Sequence, residues 1–177
     1  MLSLLKDGTH GTHQDVDEGP LLLSAKNIKF GEIRWDNTDR RISQADYEKI
    51  HSTFRLQEGD ILLTIVGSIG EAAILRSSEN ITFQRSVAFL RPERNLISEF
   101  LYSETQTPRF QKELDNRKST SAQPGIYRGD LSIIPFTFPK KIDEQQQIGS
   151  YFRNLDNLIT LHQRKPIIEY IYHITYP

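Results

Sequence analysis

Residues 58–75 read EGDILLTIVGSIGEAAIL. β-Branched residues and leucines follow one another from Ile61 to Val66 behind a Gly59-Asp60 turn, which predicts a buried strand. Gly67-Ser68-Ile69-Gly70 then reverses the chain tightly, and residues 72–75 return as the second arm of a hairpin. The small residues of that reversal let the backbone approach a neighbour closely.

Downstream, residues 82–90 (TFQRSVAFL) alternate and run to Pro92, as one further strand would. Residues 98–106 and 108–114 read as two short helices that turn Phe100, Leu101, Phe110 and Leu114 to the core. Pro108 sits in a first turn, where its missing N–H costs nothing. Residues 116–129 (NRKSTSAQPGIYRG) are loop-like, and residues 131–138 are expected as a strand that Pro135 confines to an edge. Upstream, residues 6–20 (KDGTHGTHQDVDEGP) lack any period and read as a loop, while residues 21–24 and 28–35 read as short strands, with Gly31 between them. Ser43 with Asp46 resembles a capping box, opening a short helix lined by Ala45, Tyr47 and Ile50.

From Asp143 the pattern changes to a long helix, with Asp143 and Gln146 as its cap. Ile148, Phe152, Leu155 and Ile159 recur at intervals of four, three and four, a coiled-coil seam that Tyr151 and Leu158 widen. Such a stripe suits burial against another helix; packing on the chain's own domain stays open, because two heptads are few. Pro166 is expected to end or kink the helix. The fold class is α/β of the α+β type: a mixed, partly antiparallel sheet with short helices, then a protruding, coiled-coil-like C-terminal helix.

The 177 residues, 37% hydrophobic and 25% charged, suit one domain of ordinary size. With 22 Lys and Arg against 23 Asp and Glu, the net charge is −1, so any nucleic-acid contact is local rather than a matter of bulk charge. The absence of cysteine excludes disulfides, thiolate metal sites and thiol catalysis. The longest apolar runs fall far below the roughly 20 residues of a membrane span. The N-terminus is too short for a signal sequence, which leaves the cytoplasm as the default location.

Local charge is more informative. Residues 26–41 carry Lys26, Lys29, Arg34, Arg40 and Arg41 against three acids, and residues 109–128 carry Arg109, Lys112, Arg117, Lys118 and Arg128 against Glu113 and Asp115. Each surplus lies beside hydrogen-bonding side chains, Asn37 and Thr38 in the first and Ser119, Thr120, Ser121 and Gln123 in the second. Cations to hold phosphates beside amides and hydroxyls to read base edges make the toolkit of a DNA reader. Two other classes remain: a metal-dependent hydrolase using His10, His13 and Asp15, with Asp17 nearby, and an interaction domain that only presents its helix. No serine lies in a G-x-S-x-G setting, and neither a P-loop nor a G-x-G-x-x-G follows a strand.

The order of these motifs resembles the specificity subunits of type I restriction-modification systems. It begins with Asp7-Gly8-Thr9-His10-Gly11-Thr12 and Leu21-Leu22-Leu23-Ser24-Ala25-Lys26-Asn27-Ile28. It continues with Gly59-Asp60-Ile61-Leu62-Leu63-Thr64, Gly67-Ser68-Ile69-Gly70, Phe83-Gln84-Arg85 and Leu90-Arg91-Pro92. It closes with residues 119–125, residues 131–139 and Asp143-Glu144-Gln145-Gln146-Gln147-Ile148, leading into Leu155-Asp156. The resemblance implies half of such a subunit: a target-recognition domain over residues 1–141 and a spacer or dimerisation helix over residues 142–177. It implies a non-catalytic reader of one half of a split site in double-stranded DNA, serving an adenine-N6 methyltransferase (modification) subunit and a restriction subunit. S-adenosylmethionine and ATP would belong to those partners, so no cofactor is expected here. Family spacer helices run further, whereas residues 167–177 (IIEYIYHITYP) do not read as a continued helix, an ending that a truncated or frame-altered gene would give.

By motif position, the expected DNA contacts are Thr9, His10 and Thr12 in the first loop, Lys26, Arg34, Arg40 and Arg41 in the first basic segment, and Ser68 in the hairpin turn. Lys118, Ser119, Thr120, Gln123, Tyr127 and Arg128 complete the set from the late loop. Trp35 is read as core or core edge, and Tyr127 alternatively as a packing residue. The expected partner face is Ile148, Tyr151, Phe152, Leu155, Leu158 and Ile159, through which two copies would form a symmetric dimer.

Overall fold

The computed structural model describes residues 2–175, with side chains as far as His162; Met1, Tyr176 and Pro177, at the ends of the two expected segments, lie outside the described residues. Its elements in chain order are β1 (Leu2–Asp7), β2 (Leu21–Leu23), a 3-10 turn (Ala25–Asn27), β3 (Ile28–Lys29), β4 (Glu32–Ile33) and α1 (Gln44–Ile50). There follow β5 (Ile61–Thr64), β6 (Ala72–Ile74), β7 (Ile81–Phe83), β8 (Val87–Pro92), α2 (Ser98–Thr105), α3 (Pro108–Asn116), α4 (Arg128–Ser132) and α5 (Ile142–Thr175).

The main sheet is antiparallel, in the order β1-β8-β5-β6, with β5 inside it. β5 is apolar at successive positions because both of its faces are covered. Ile61 and Leu63 face a core made with Phe100, Leu101, Phe110 and Leu114 of α2 and α3, whereas Leu62 faces a second core with Leu21, Leu23, Phe83 and Phe89. That second core lies under a parallel pair, β2 with β7, which makes the sheet system mixed. A third, smaller cluster joins Leu22, Ile42 and Tyr47.

The hairpin of β5 and β6 turns at Gly67, whose φ of +84° is a conformation that L side chains rarely adopt. At its base the wholly buried Asp60 carboxylate accepts a bidentate pair from Arg91, 2.7 and 2.8 Å, and the Gln57 amide N–H at 2.9 Å. Ser43 caps α1 through the Asp46 amide, and Thr107 caps α3 through that of Phe110 ahead of Pro108.

Several expectations give way. Residues 2–7 form an edge strand, so the first loop begins after Asp7; pairing with β8 supplies the order that the local sequence does not show. Residues 82–90 are not one strand, because residues 84–86 turn and send β7 and β8 to different sheets. Residues 28–35 likewise fold into the small hairpin of β3 and β4, with Phe30 (φ +53°) and Gly31 at its tip. Ala45 is exposed. Trp35 stands 53% exposed, outside the core.

No strand forms over residues 131–138. Leu131 and Ser132 belong to α4, and beyond it Ile134, Phe136 and Phe138 still turn inward alternately against the helix-side core, without a ladder partner. α5 starts at Ile142, so Asp143 lies inside its first turn rather than capping it. The helix continues through Pro166 to Thr175, so residues 167–175 do continue it; a proline forfeits one i→i−4 bond while the turns on either side keep theirs.

Gln145, fully buried, locks α5 to the domain. Its Oε1 accepts the Ile97 N–H at 3.0 Å, and its Nε2 donates to the carbonyls of Asn95 (2.9 Å) and Pro139 (2.7 Å). One turn on, Gly149 lets α5 meet α2: a Cβ there would stand 2.7 Å from that of Glu99.

Candidate nucleic-acid interface

Antiparallel pairing sets the ends of β1 (Asp7) and β5 (Thr64) beside the start of β8 (Val87 and Ala88). The loops after β1 and β5 and the turn at residues 84–86 therefore leave the sheet at one end. β2 and β7 finish at the same turn: the Gln84 N–H donates to the Leu23 carbonyl (2.8 Å) and the Ala25 N–H to Ser86 Oγ (3.0 Å), which brings in Lys26. The late loop joins through a bridge between Val66 and Gly125 and through the Ile126 N–H on the Ile65 carbonyl, 2.9 Å. Five segments distant in sequence thus form one loop end.

Within it, Asp7 is a hub. Its Oδ2 lies 2.5 Å from His10 Nε2 and its Oδ1 lies 3.6 Å from Arg128 Nη1, so the first and late loops share one carboxylate. Half-buried Thr9 bridges to Gln84 and holds the Gly11 amide and, at 3.0 Å, His13 Nε2. His13 Nδ1 lies 3.4 Å from Asp46. Thr12 and Ser68 are exposed, and the Ser68 carbonyl accepts from the Thr64 hydroxyl. Ser119 Oγ accepts the Gly125 amide at 3.1 Å and meets Ser121 Oγ, while Thr120 and Gln123 stand exposed. Lys118 pairs with Asp115. Tyr127 is 70% exposed, which overturns its reading as a packing residue.

Lys26 Nζ lies 2.8 Å from Asp39 Oδ1. Burial pushes the Asp39 carboxyl up, but Lys26, the Asn27 amide and the Asp36 N–H together hold it down to about 2. The three arginines of the first basic segment are engaged by other groups. Arg34 pairs with Glu32; Arg40 pairs with Asp15 and donates to the His13 carbonyl; Arg41 donates to the Gly19 carbonyl and bridges to Leu21, at the far end of β2.

The metal reading fails on the same contacts. His10 turns to Asp7, His13 to Thr9 and Asp46, and Asp15 to Arg40. Among the described residues no three such groups converge to hold an ion.

The expected partner face divides. Ile148 is half-buried and packs on the helix-side core, and Leu155 is half-covered, whereas Tyr151, Phe152, Leu158 and Ile159 are exposed, as is Leu161, which the seam pattern omitted. Between α5 and the β3–β4 hairpin runs a groove of 730 Å³, lined by Phe30, Trp35, Tyr102, Arg153 and Asp156 among others. Sequence reasoning also passed over Asp7, Arg85 and Gln145. For each the available signal was its place in a quoted motif: Asp7 opens Asp7-Gly8-Thr9-His10, Arg85 closes Phe83-Gln84-Arg85 and Gln145 lies within residues 143–148.

Three comparisons bear on this arrangement. A profile described as the type I restriction modification DNA specificity domain matches residues 15–170. The type I restriction enzyme EcoBI specificity subunit of Escherichia coli is 29% identical over 135 residues, which covers 76% of this chain and 28% of that protein. Among solved structures, a chain from work on the complex assembly and conformational transition of the type I R-M system superposes with a TM-score of 0.63 at 16% identity, covering 91% of this chain and 37% of its own. The type I restriction-modification S subunit from M. genitalium gives a TM-score of 0.52 at 17% identity, over 89% and 41%. The chain therefore spans well under half the length of these relatives, and at these identities the structures show the fold alone. No helix among the described residues is long and apolar enough to cross a membrane. By the profile that covers most of its length, the chain belongs to the type I restriction modification DNA specificity domain family.

Proposed function

We propose that this chain is a non-catalytic reader of one half of a split target in double-stranded DNA, which directs a type I methyltransferase subunit and a restriction subunit to that site in the cytoplasm, with no cofactor of its own. Residues 1–141 serve as the target-recognition domain, and residues 142–177 as the spacer helix that the partners grip. The observation that carries the reading is the loop end: five polar segments, scattered in sequence, meet at one end of a rigid sheet, and the first and last of them share the Asp7 carboxylate. Such a surface offers donors and acceptors to groove edges while Lys26, Lys118 and Arg128 supply phosphate contacts.

The test is selection from a pool of random duplexes at two salt concentrations, with the chain alone and with a type I methyltransferase subunit. Enrichment of one short motif, single or mirrored at fixed spacing, supports the reading, and affinity then falls with salt. No enrichment under any condition overturns it.

A second copy is a further partner for the α5 face, favoured by the exposed Tyr151, Phe152, Leu158 and Ile159. Two copies would place two loop ends at a fixed separation and read a symmetric split site. Light scattering that shows a monomer at high concentration removes this part alone.

A further inference from the structure

We infer that Arg85 is a specificity-determining residue, whose guanidinium reads a guanine edge in the duplex held at the loop end. The inference rests on the DNA-reading function proposed above and goes beyond it in assigning a base-reading residue that the motif positions did not single out.

The backbone carrying Arg85 is tied on every side. The Arg85 N–H donates to the Thr9 carbonyl (3.0 Å) and the Gln84 N–H to the Leu23 carbonyl (2.8 Å). Ser86 accepts the Ile65 N–H on its carbonyl (2.9 Å) and the Ala25 N–H on its hydroxyl (3.0 Å), and the Val87 N–H closes the turn on the Gln84 carbonyl (3.1 Å). Its flanks are anchored by Phe83 and Val87, both wholly buried. Three of the other four loop-end segments are therefore bonded to this turn. The side chain itself is exposed.

Charge separates Arg85 from its neighbours. Lys26 is paired with Asp39, Lys118 with Asp115 and Arg128 with Asp7. Arg85 has no carboxylate partner among the described residues. A phosphate contact tolerates a mobile cation, because it needs only charge within reach. Bidentate recognition of guanine O6 and N7 needs a planar fork delivered in one orientation, and so a fixed backbone beneath it. Among the loop-end cations, the one on the most heavily tied backbone is also the one whose donors are uncommitted, and that combination suits base reading rather than phosphate holding.

The experiment repeats the duplex selection, alone and with the methyltransferase subunit, for the wild-type chain, Arg85→Ala, Arg85→Lys and the control Arg94→Ala. Arg94 is exposed just past the opposite end of β8. Thermal melting of each variant checks folding. The expected result is that Arg85→Ala and Arg85→Lys lose about tenfold or more of the preference for G·C at one position of the motif, keep the remaining positions, and that Arg94→Ala changes nothing. Uniform weakening across sequences with rescue by lysine would assign Arg85 to a phosphate and overturn the inference while leaving the DNA-reading function standing. An unchanged motif overturns it equally. A wild-type chain that enriches nothing overturns the function on which it rests, and the inference with it.

Discussion

At the loop end of the sheet the exposed groups include Thr12, Ser68, Thr120, Gln123, Arg85 and Arg128, whereas along α5 the exposed apolar groups are Tyr151, Phe152, Leu158, Ile159 and Leu161. The first surface is polar, and its backbone is stitched down by hydrogen bonds between segments far apart in sequence. The second is apolar and borne on a helix that needs no neighbour to satisfy its backbone beyond the point where Gln145 and Gly149 seat it. The contrast follows from what each surface is to meet. Groove edges are read by placed donors and acceptors, so the loops must be held still. A protein partner is gripped by area removed from water, so the helix can simply display its side chains.

The largest blow to both regions together is expected from Asp60→Ala, which leaves Arg91 without its buried carboxylate at the base of the central hairpin. Breaking such a pair costs about 3–5 kcal/mol, and the midpoint of denaturant unfolding should fall accordingly. Gln145→Leu should instead separate the two regions. It strands the Ile97 N–H and the carbonyls of Asn95 and Pro139, at a cost on the order of 3 kcal/mol. Hydrogen exchange should quicken in the first turns of α5 while the amides of residues 84–87 stay protected; equal loss in both would mean that the regions are one cooperative unit.

Acid offers a gentler probe, and its two steps fall on different sites. His51 is buried among Tyr47 and Phe54, with Nε2 unpartnered, and burial pushes its imidazole pKa down. The unfolded chain then binds the extra proton, so stability present above about pH 6.5 is lost as pH falls through the lowered value. His51→Gln should flatten that slope in a series of thermal melts. Asp39, held at about 2, adds a second loss as pH falls from about 4 towards 2, and this one should loosen the Lys26 segment first. Asp39→Asn should abolish it.

The smallest effect on stability, and the sharpest on function, is expected from Phe152→Asp. The residue is 48% exposed, so the change should stay within about 0.5 kcal/mol. Self-association read by light scattering should nevertheless fall, while DNA selection by the loop end remains. A large loss of stability would show that Phe152 belongs to the domain and not to a partner face.

Much of the scaffold was legible because its signals are local. The hairpin at Gly67, the Ser43 cap, Pro108 in a first turn and the inward faces of α2 and α3 depend on a few neighbouring residues. The misses share the opposite property. β1 is a strand through its pairing with β8; residues 81–92 break because two sheets claim their halves; residues 134–138 alternate inward without a strand to pair with. In each case a partner distant in sequence settles what the local pattern leaves open.

The candidate site divides along the same line. Composition and motif order pointed to DNA, to a helix for partners and to most of the loops, because residue types and their spacing are properties of the chain itself. Which cations are spent and which remain at work was decided only in three dimensions. Arg34, Arg40 and Arg41 are engaged by Glu32, Asp15 and the Gly19 carbonyl, while Arg85 stands exposed on a fixed turn. The amino-acid sequence by itself determined the central hairpin and the amphipathic helix, since short-range sterics and burial periodicity suffice for them, while the order of its motifs carried the family resemblance. The tertiary structure alone determined that five segments meet at one end of a sheet, because a charge's availability and a loop's rigidity depend on which distant groups folding brings within hydrogen-bond reach.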